Sequence, residues 1–343
     1  MKIAAASLTL ALAASPAFAE GPALSAKEAA AIEKLTEKAL ADDRAFDVLE
    51  SLTTEIGPRL GGSEAEARAR EWGAAKMKAM GFKNVRIETF DMPAWSRVSE
   101  SAAIVAPFPQ ALRVTALGNS VSTPDGGVTA EVVRFETLTE LKAAPLTGIE
   151  GKIVFVDEKM TRTQDGSGYG VAVAKRSEAT VEAAKRGALA AVIRSVGTDS
   201  HRNPHAGMMR IIEGAAVVPA AALSNPDADQ LARAIRRAKG PVTMTLDLKT
   251  AKTLSAPGGN VIGEIPGRTD EMIVIGGHLD SWDPGTGAID DAAGIAITLA
   301  AAKLIDEMSG KPGRTIRVVM WGAEEVGLFG ARAYAEAQKD EFS

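Results

Sequence analysis

The 343-residue chain carries 39 basic and 44 acidic side chains, a formal charge of -5, and is 46% hydrophobic and 24% charged. That is the balance of an ordinary globular protein of one large or two smaller domains, and it argues against nucleic acid or an anionic membrane as the main partner. Cysteine is absent, which excludes disulfides, thiolate nucleophiles and thiolate metal sites and leaves His, Asp and Glu to hold any metal.

Lys2, the short apolar run "IAAASLTLALAAS" and the small-x-small Ala17–Ala19 predict a cleavable secretory signal over residues 1–19. The mature protein is then exported, to the periplasm or beyond, and no other segment is long and apolar enough to span a bilayer. One helical pattern runs from Lys27 to about Leu52. Ser63 and Glu66 predict a capping box at the start of a helix that stops at Gly81. "NVRIETF" then alternates as a strand. Residues 20–106 therefore read as the first part of the main domain.

From 107 to 250 the pattern changes. "VTAEVVRF", "GKIVFVDE", "ALAAVIRSV", "VPAAALS" and "PVTMTLDLKT" read as strands. "VAKRSEATVEAAKRG" and "PDADQLARAIRRAKG" read as helices between them, with turn-rich breaks such as "STPDGG". This segment reads as an inserted α+β domain. From 251 to 343 the order is β-α-β-α: "NVIGEIPG" and "MIVIGGH", an apolar helix in "DAAGIAITLAAAKLIDEM", the strand "TIRVVMW", and a helix in "LFGARAYAEAQKD". The expected fold class is α/β, a mostly parallel sheet flanked by helices, with its functional loops at the carboxyl ends of the strands.

Two neighbouring strand ends carry chemistry. His278, one of only three histidines, closes the strand "MIVIGGH" and is followed by Asp280, Asp283, Asp290 and Asp291. Asp280, two residues on, is placed to accept a hydrogen bond from one ring nitrogen and leave the other for a metal. Asp290 and Asp291 open a helix, where one carboxylate is accounted for by the helix dipole. Glu324 and Glu325 follow the next strand, where a solvated helix start is the plain alternative. Together the two loops gather carboxylates with no cation nearby in sequence, and such a cluster needs a neutralising ion. A divalent metal pair suits it, and His with carboxylates suits zinc.

"GGHLDSWD…GAIDDAAG" followed by "AEEVGLFG" resembles the co-catalytic di-zinc exopeptidases, within them the carboxypeptidase Q (plasma glutamate carboxypeptidase) group. "GPRLGGS", "VEAAKRGALAAVIRSV", "RNPHAG" and "NVIGEIPG" extend the likeness over most of the chain. The resemblance implies two Zn2+ per complete site. His278 and Glu325 are implied as ligands of different ions, Asp290 as the bridge between them, Asp280 as the carboxylate orienting His278, and Glu324 as general base. It also implies a cis peptide between Asp290 and Asp291 and a protease-associated character for the inserted segment. The expected partner is a dipeptide or short peptide substrate, with a homodimer left open. Alternatives are a non-catalytic binding ectodomain and a single-zinc glutaminyl cyclase-like enzyme. The family needs a further Asp and His downstream, and the chain reaches Ser343 first. The expectation is thus a C-terminally truncated chain, inactive or nearly so and poorly soluble, with apolar surface bared on "TIRVVMW" and "GIAITLAAAKLI". His201 and His205 lie in the inserted segment, where an approach of His205 to substrate competes with an ordinary loop histidine.

Overall fold

The computed structural model describes residues 24–308 and 310–339; the signal expected over 1–19 lies outside them. The chain divides after Asp42 into two units. The first contains α1 (Ala26–Leu40), started by a reciprocal capping box between Ser25 and Glu28. The single helix expected from Lys27 to Leu52 is thus two. Asp42 and Asp43 interrupt it, because aspartates compete for backbone groups inside helices and favour helix starts, and α2 (Arg44–Ser51) begins there.

The second unit continues with α3 (Glu64–Ala79). The Ser63 hydroxyl caps it by accepting the Glu66 amide at 3.2 Å. Only half of the expected capping box forms, since the Glu66 side chain turns inward and pairs with Arg70. The chain leaves the helix through Gly81 at φ 88°.

The remaining elements are β1 (Lys83–Ala106), β2 (Gln110–Leu112), β3 (Val114–Ala116), β4 (Val128–Phe135), α4 (Leu138–Ala143), β5 (Ile153–Val156), α5 (Ser167–Ala172), α6 (Ala174–Lys185), β6 (Ala190–Arg194), β7 (Ala220–Leu223), α7 (Asn225–Arg237), β8 (Thr243–Ile265), β9 (Met272–His278), α8 (Ala293–Asp306), β10 (Thr315–Trp321) and α9 (Phe329–Ala337). They build one large sheet flanked by helices, as the α/β reading expects.

Strand directions are mixed rather than mostly parallel. β4, β5, β6 and β7 run parallel in that order, with β3 antiparallel at the edge. β9 and β10 also run parallel. Between these groups lie two long antiparallel strands, β1 and β8, paired from Lys83 opposite Glu264 to Ala106 opposite Thr243 with register shifts along the way. The N-terminal end of β8 pairs with β4, and its C-terminal end pairs with β10. β8 therefore runs unbroken past residue 250.

Three large apolar clusters result. Phe155, Leu223, Leu231 and Met244 belong to the one around β4–β8. Leu117, Leu141, Val154 and Ile193 fill the other side of the parallel strands. Leu52, Met77, Val261, Ile295, Leu299 and Val318 unite α2, α3 and α8 with β8 and β10. Burying each Leu- or Ile-sized side chain is worth about 1.5–3 kcal/mol, so these faces fix the sheet ends that carry the site. The apolar surface expected on β10 is covered: Ile316 to Met320 are buried, and Val319 packs with Ile262 and Tyr334. On α8, Ile297 is exposed. Among the described residues no helix is long and apolar enough to cross a membrane.

Candidate metal centre and its cleft

His278 ends β9 directly beside Trp321, the last residue of β10. The parallel register places the two following loops side by side. The turn after β10 is tight, with Ala323 at φ 55°. Asp280, fully buried, ties the loops together: its carboxylate accepts the Glu324 amide at 2.9 Å and the Glu325 amide at 3.2 Å.

That bond pattern revises the expected role of Asp280. His278 Nδ1 lies 3.0 Å from the Asp280 carbonyl oxygen and 3.6 Å from its carboxylate. The carboxylate is already engaged by two amides, so the backbone oxygen is the nearer partner that orients the ring. A proton on Nδ1, donated to that carbonyl, leaves Nε2 as the outward nitrogen. Nε2 faces Asp290 Oδ1 at 2.8 Å and Glu324 Oε2 at 3.9 Å.

The adjacent aspartates divide their work. Asp291 turns inward, accepting the His278 amide and the Gly294 amide, each at 3.0 Å. It is the carboxylate at the start of α8, and it pins that start to β9. The two glycines are needed for this approach, because a Cβ on Gly277 would stand 2.5 Å from Asp291 Oδ2 and one on Gly294 would meet the same carboxylate. Asp290 turns outward. The Asp290–Asp291 peptide is cis, in agreement with the resemblance. His278, Asp290 and Glu325 each place a ligand atom within 4.8 Å of the others.

Two partners of this loop were invisible in sequence. Asp283, counted with the acidic cluster, is bound by Arg97 of β1. Arg59, in the "GPRLGGS" stretch, is fully buried beneath the loop and donates to the carbonyls of Leu279, Gly57, Thr286 and Gly287. Burial pulls its pKa down to about 10, against the opposing charges of Asp280 and Asp291. The acidic cluster thus has two cations after all, Arg59 beneath it and Arg97 on Asp283, each supplied from more than 180 residues away in sequence.

The outward groups remain crowded. Burial, then Asp290 and the other carboxylates, push Glu325 up to about 7. Burial and the same neighbours raise Glu324, with His278 opposing. Burial works against a charge on His278, but Asp280, Asp290 and Glu324 outweigh it and raise the imidazole to about 10. One imidazole and two carboxylates within 4.8 Å of one another, with the His278 and Glu325 protons held up to about 10 and about 7, fit a divalent cation. Zinc must displace those protons, because it binds neutral imidazole and ionised carboxylate. Zinc uptake near pH 7 is therefore expected to release at least about one proton per protein molecule, chiefly from His278, and affinity is expected to rise with pH as His278 and Glu325 lose their protons. Titration calorimetry in buffers of different ionisation enthalpy measures this; uptake with no proton release would contradict the site.

The centre opens on a cleft of about 1030 Å³ whose lining includes Asp290, Glu325, Trp282, Tyr169, Arg176 and His205. The structure thus brings His205 to the same cleft as the acidic groups. His201 is exposed beside Asp199 and does not line the cleft. His205 Nε2 lies 3.1 Å from the Tyr169 hydroxyl, and enclosure in the cleft wall, followed by the Arg176 charge, lowers its pKa.

Comparison with known proteins places this geometry. A crystal structure of a peptidase M28 precursor from Shewanella amazonensis is 47% identical, with a TM-score of 0.87, over 91% of this chain and 71% of that one. The chain belongs to peptidase family M28. The model of that family matches residues 260–343, the segment carrying His278, Asp290, Glu324 and Glu325. Among M28-like relatives, carboxypeptidase Q of Bos taurus is 36% identical over 91% of this chain and 65% of its own length. The Homo sapiens carboxypeptidase Q is 34% identical over the same shares. The chain thus spans about 65% of the length of these curated relatives. A zinc aminopeptidase from Bacillus subtilis, 22% identical with a TM-score of 0.59 over 86% of this chain and 64% of that one, shares the M28 fold.

Proposed function

We propose that the chain forms the core of a zinc exopeptidase site that hydrolyses dipeptides or short peptides. The observation that carries this reading is the convergence of His278, Asp290 and Glu325 within 4.8 Å at the ends of two adjacent parallel strands. Two zinc ions are proposed, His278 and Glu325 serving different ions and Asp290 shared between them. The peptidase and zinc aminopeptidase names of the relatives support the chemistry.

Zinc, when bound, makes a water molecule acidic and polarises the scissile carbonyl. The rest falls to side chains of this chain. Glu324 stands beside the triad, 3.9 Å from His278 Nε2, with a carboxyl pKa already raised. It takes the proton from the attacking water and returns it to the leaving amine. Asp280 keeps Glu324 and Glu325 aimed through their amides. Asp291 keeps His278 and the start of α8 together. The segment 107–250 is proposed as the inserted domain that closes the far side of the cleft, with Tyr169, Arg176 and His205 in its wall. The signal over 1–19 would deliver the protein outside the cytoplasm.

The test is to add zinc to the metal-free protein, count bound ions by elemental analysis, and assay a simple dipeptide. Zinc-dependent release of free amino acids supports the reading. Absence of zinc binding, or hydrolysis undiminished after His278→Ala, overturns it.

A further inference from the structure

Among the described residues, the buried arginines meet a carboxylate or a set of carbonyl oxygens, with one exception. Arg59 meets four carbonyl oxygens, Arg194 meets Asp157 and Asp229, and Arg186 meets Glu182. Arg176 on α6 is only 7% exposed, yet it makes no ion pair among the described residues. Its Nη2 donates to the Tyr169 hydroxyl at 2.9 Å, and its Nε has no acceptor. The guanidinium lies 5.8 Å from the centre of the Tyr169 ring. It also lies against the α-carbon of Gly207, where a Cβ would collide with it. The Tyr169 hydroxyl is held in turn by His205.

An arginine this deep is always charged, and a buried charge without a counter-ion is costly. Arg176 lines the cleft it shares with Asp290 and Glu325. Those two are occupied with the metal centre, and neither is paired to it. The missing anion is therefore a part of whatever fills the cleft. A guanidinium fork matches a carboxylate in shape and charge.

We propose that Arg176, positioned by Tyr169 and His205, binds a carboxylate of the peptide substrate and makes the cleft selective for it. This rests on the peptidase reading above. The carboxylate is either the free C-terminus or an acidic side chain; both offer the same planar anion. Arg176 is then a specificity-determining residue outside the metal centre.

Binding, rather than turnover, tests this. Three dipeptide analogues with a reduced, uncleavable peptide bond serve as probes: one with a free C-terminal carboxylate, its C-terminal carboxamide, and a carboxamide whose last side chain is glutamate. Titration calorimetry on the zinc-loaded parent protein is expected to favour a carboxylate-bearing probe over the plain carboxamide by at least about tenfold. Preference for the first probe identifies the C-terminus, and preference for the third identifies the side chain. Arg176→Gln is expected to level the three, and Arg176→Lys to restore part of the preference. Equal affinities in the parent protein, or no binding of any probe, overturn the proposal without needing a variant. So does an unchanged preference in a folded Arg176→Gln protein. Hydrolysis of dipeptide acids and amides at equal rates would sink the Arg176 assignment and leave the peptidase reading standing. Carboxylate-selective binding with no hydrolysis would do the reverse.

Discussion

Replacing Glu324 with Gln is expected to lower kcat/KM for dipeptide hydrolysis by at least about a hundredfold while leaving zinc in place. The exchange keeps volume but replaces one carboxylate oxygen with an NH2 donor and so removes the proton acceptor. Zinc should stay because the triad is His278, Asp290 and Glu325, with Glu324 outside it. The backbone should stay because Asp280 holds the Glu324 amide, which the exchange does not touch. Elemental analysis alongside the kinetics separates the outcomes. Zinc retained with near-parental turnover would remove Glu324 from proton transfer. Zinc lost together with turnover would make it a ligand instead.

The largest expected loss of stability follows Arg59→Met. Four carbonyl oxygens, one from its own loop and three from the distant 279–287 loop, converge on this one side chain, and its own amide and carbonyl exchange hydrogen bonds with Ser281. Methionine fills the space but donates nothing, so buried carbonyls are left without partners beside uncompensated Asp280 and Asp291. The unfolding free energy should fall by about 3–5 kcal/mol. Urea unfolding followed by circular dichroism measures it. A fall below about 1 kcal/mol would mean that water enters and satisfies the loop instead.

The strands that carry the candidate metal centre were legible in sequence for a simple reason. "MIVIGGH" and "TIRVVMW" are short apolar runs with glycine or chemistry at their ends, and β9 and β10 occupy those seven residues each. β1 and β8 were not legible at full length. Their middles, such as Ala251 to Ser255, are exposed on both faces, with Leu254 in solvent. A strand there is held by backbone pairing, which leaves no apolar period to read. β2 and β3 are three residues each and carry no period either. In the site, residue types and local spacing pointed to the cluster of His278, Asp280, Asp290, Asp291, Glu324 and Glu325, and only the family resemblance singled out Asp290 from Asp291. The cations did not show, because Arg59 and Arg97 reach the loop across more than 180 residues of chain. Nor could sequence separate the two oxygens that Asp280 offers, one on its backbone and one on its side chain. Arg176 lies in a stretch read only as a helix, and an arginine that meets Gly207 from far along the chain leaves no local mark.

The path of β8 has a mechanical consequence. β4 holds it only over Thr243 to Leu246, and β10 only over Val261 to Ile265. Between those stretches its one strand partner is β1, so the wide sheet narrows to a two-stranded neck. Register shifts at Met92/Ala94 and Arg97/Ser99 fall within that neck, and such irregularities are where strand pairs bend. One cleft wall hangs from each end of it. Changes in cleft width would then be elastic flexure of a ribbon, with the Arg97–Asp283 pair as a tether near the bend. A hinge loop would give two discrete angles, whereas a ribbon gives a graded stiffness. Amides along Ala251–Ser255 should accordingly exchange with solvent deuterium faster than those of Val261–Ile265, and a ligand spanning both walls should slow the former by stiffening the neck.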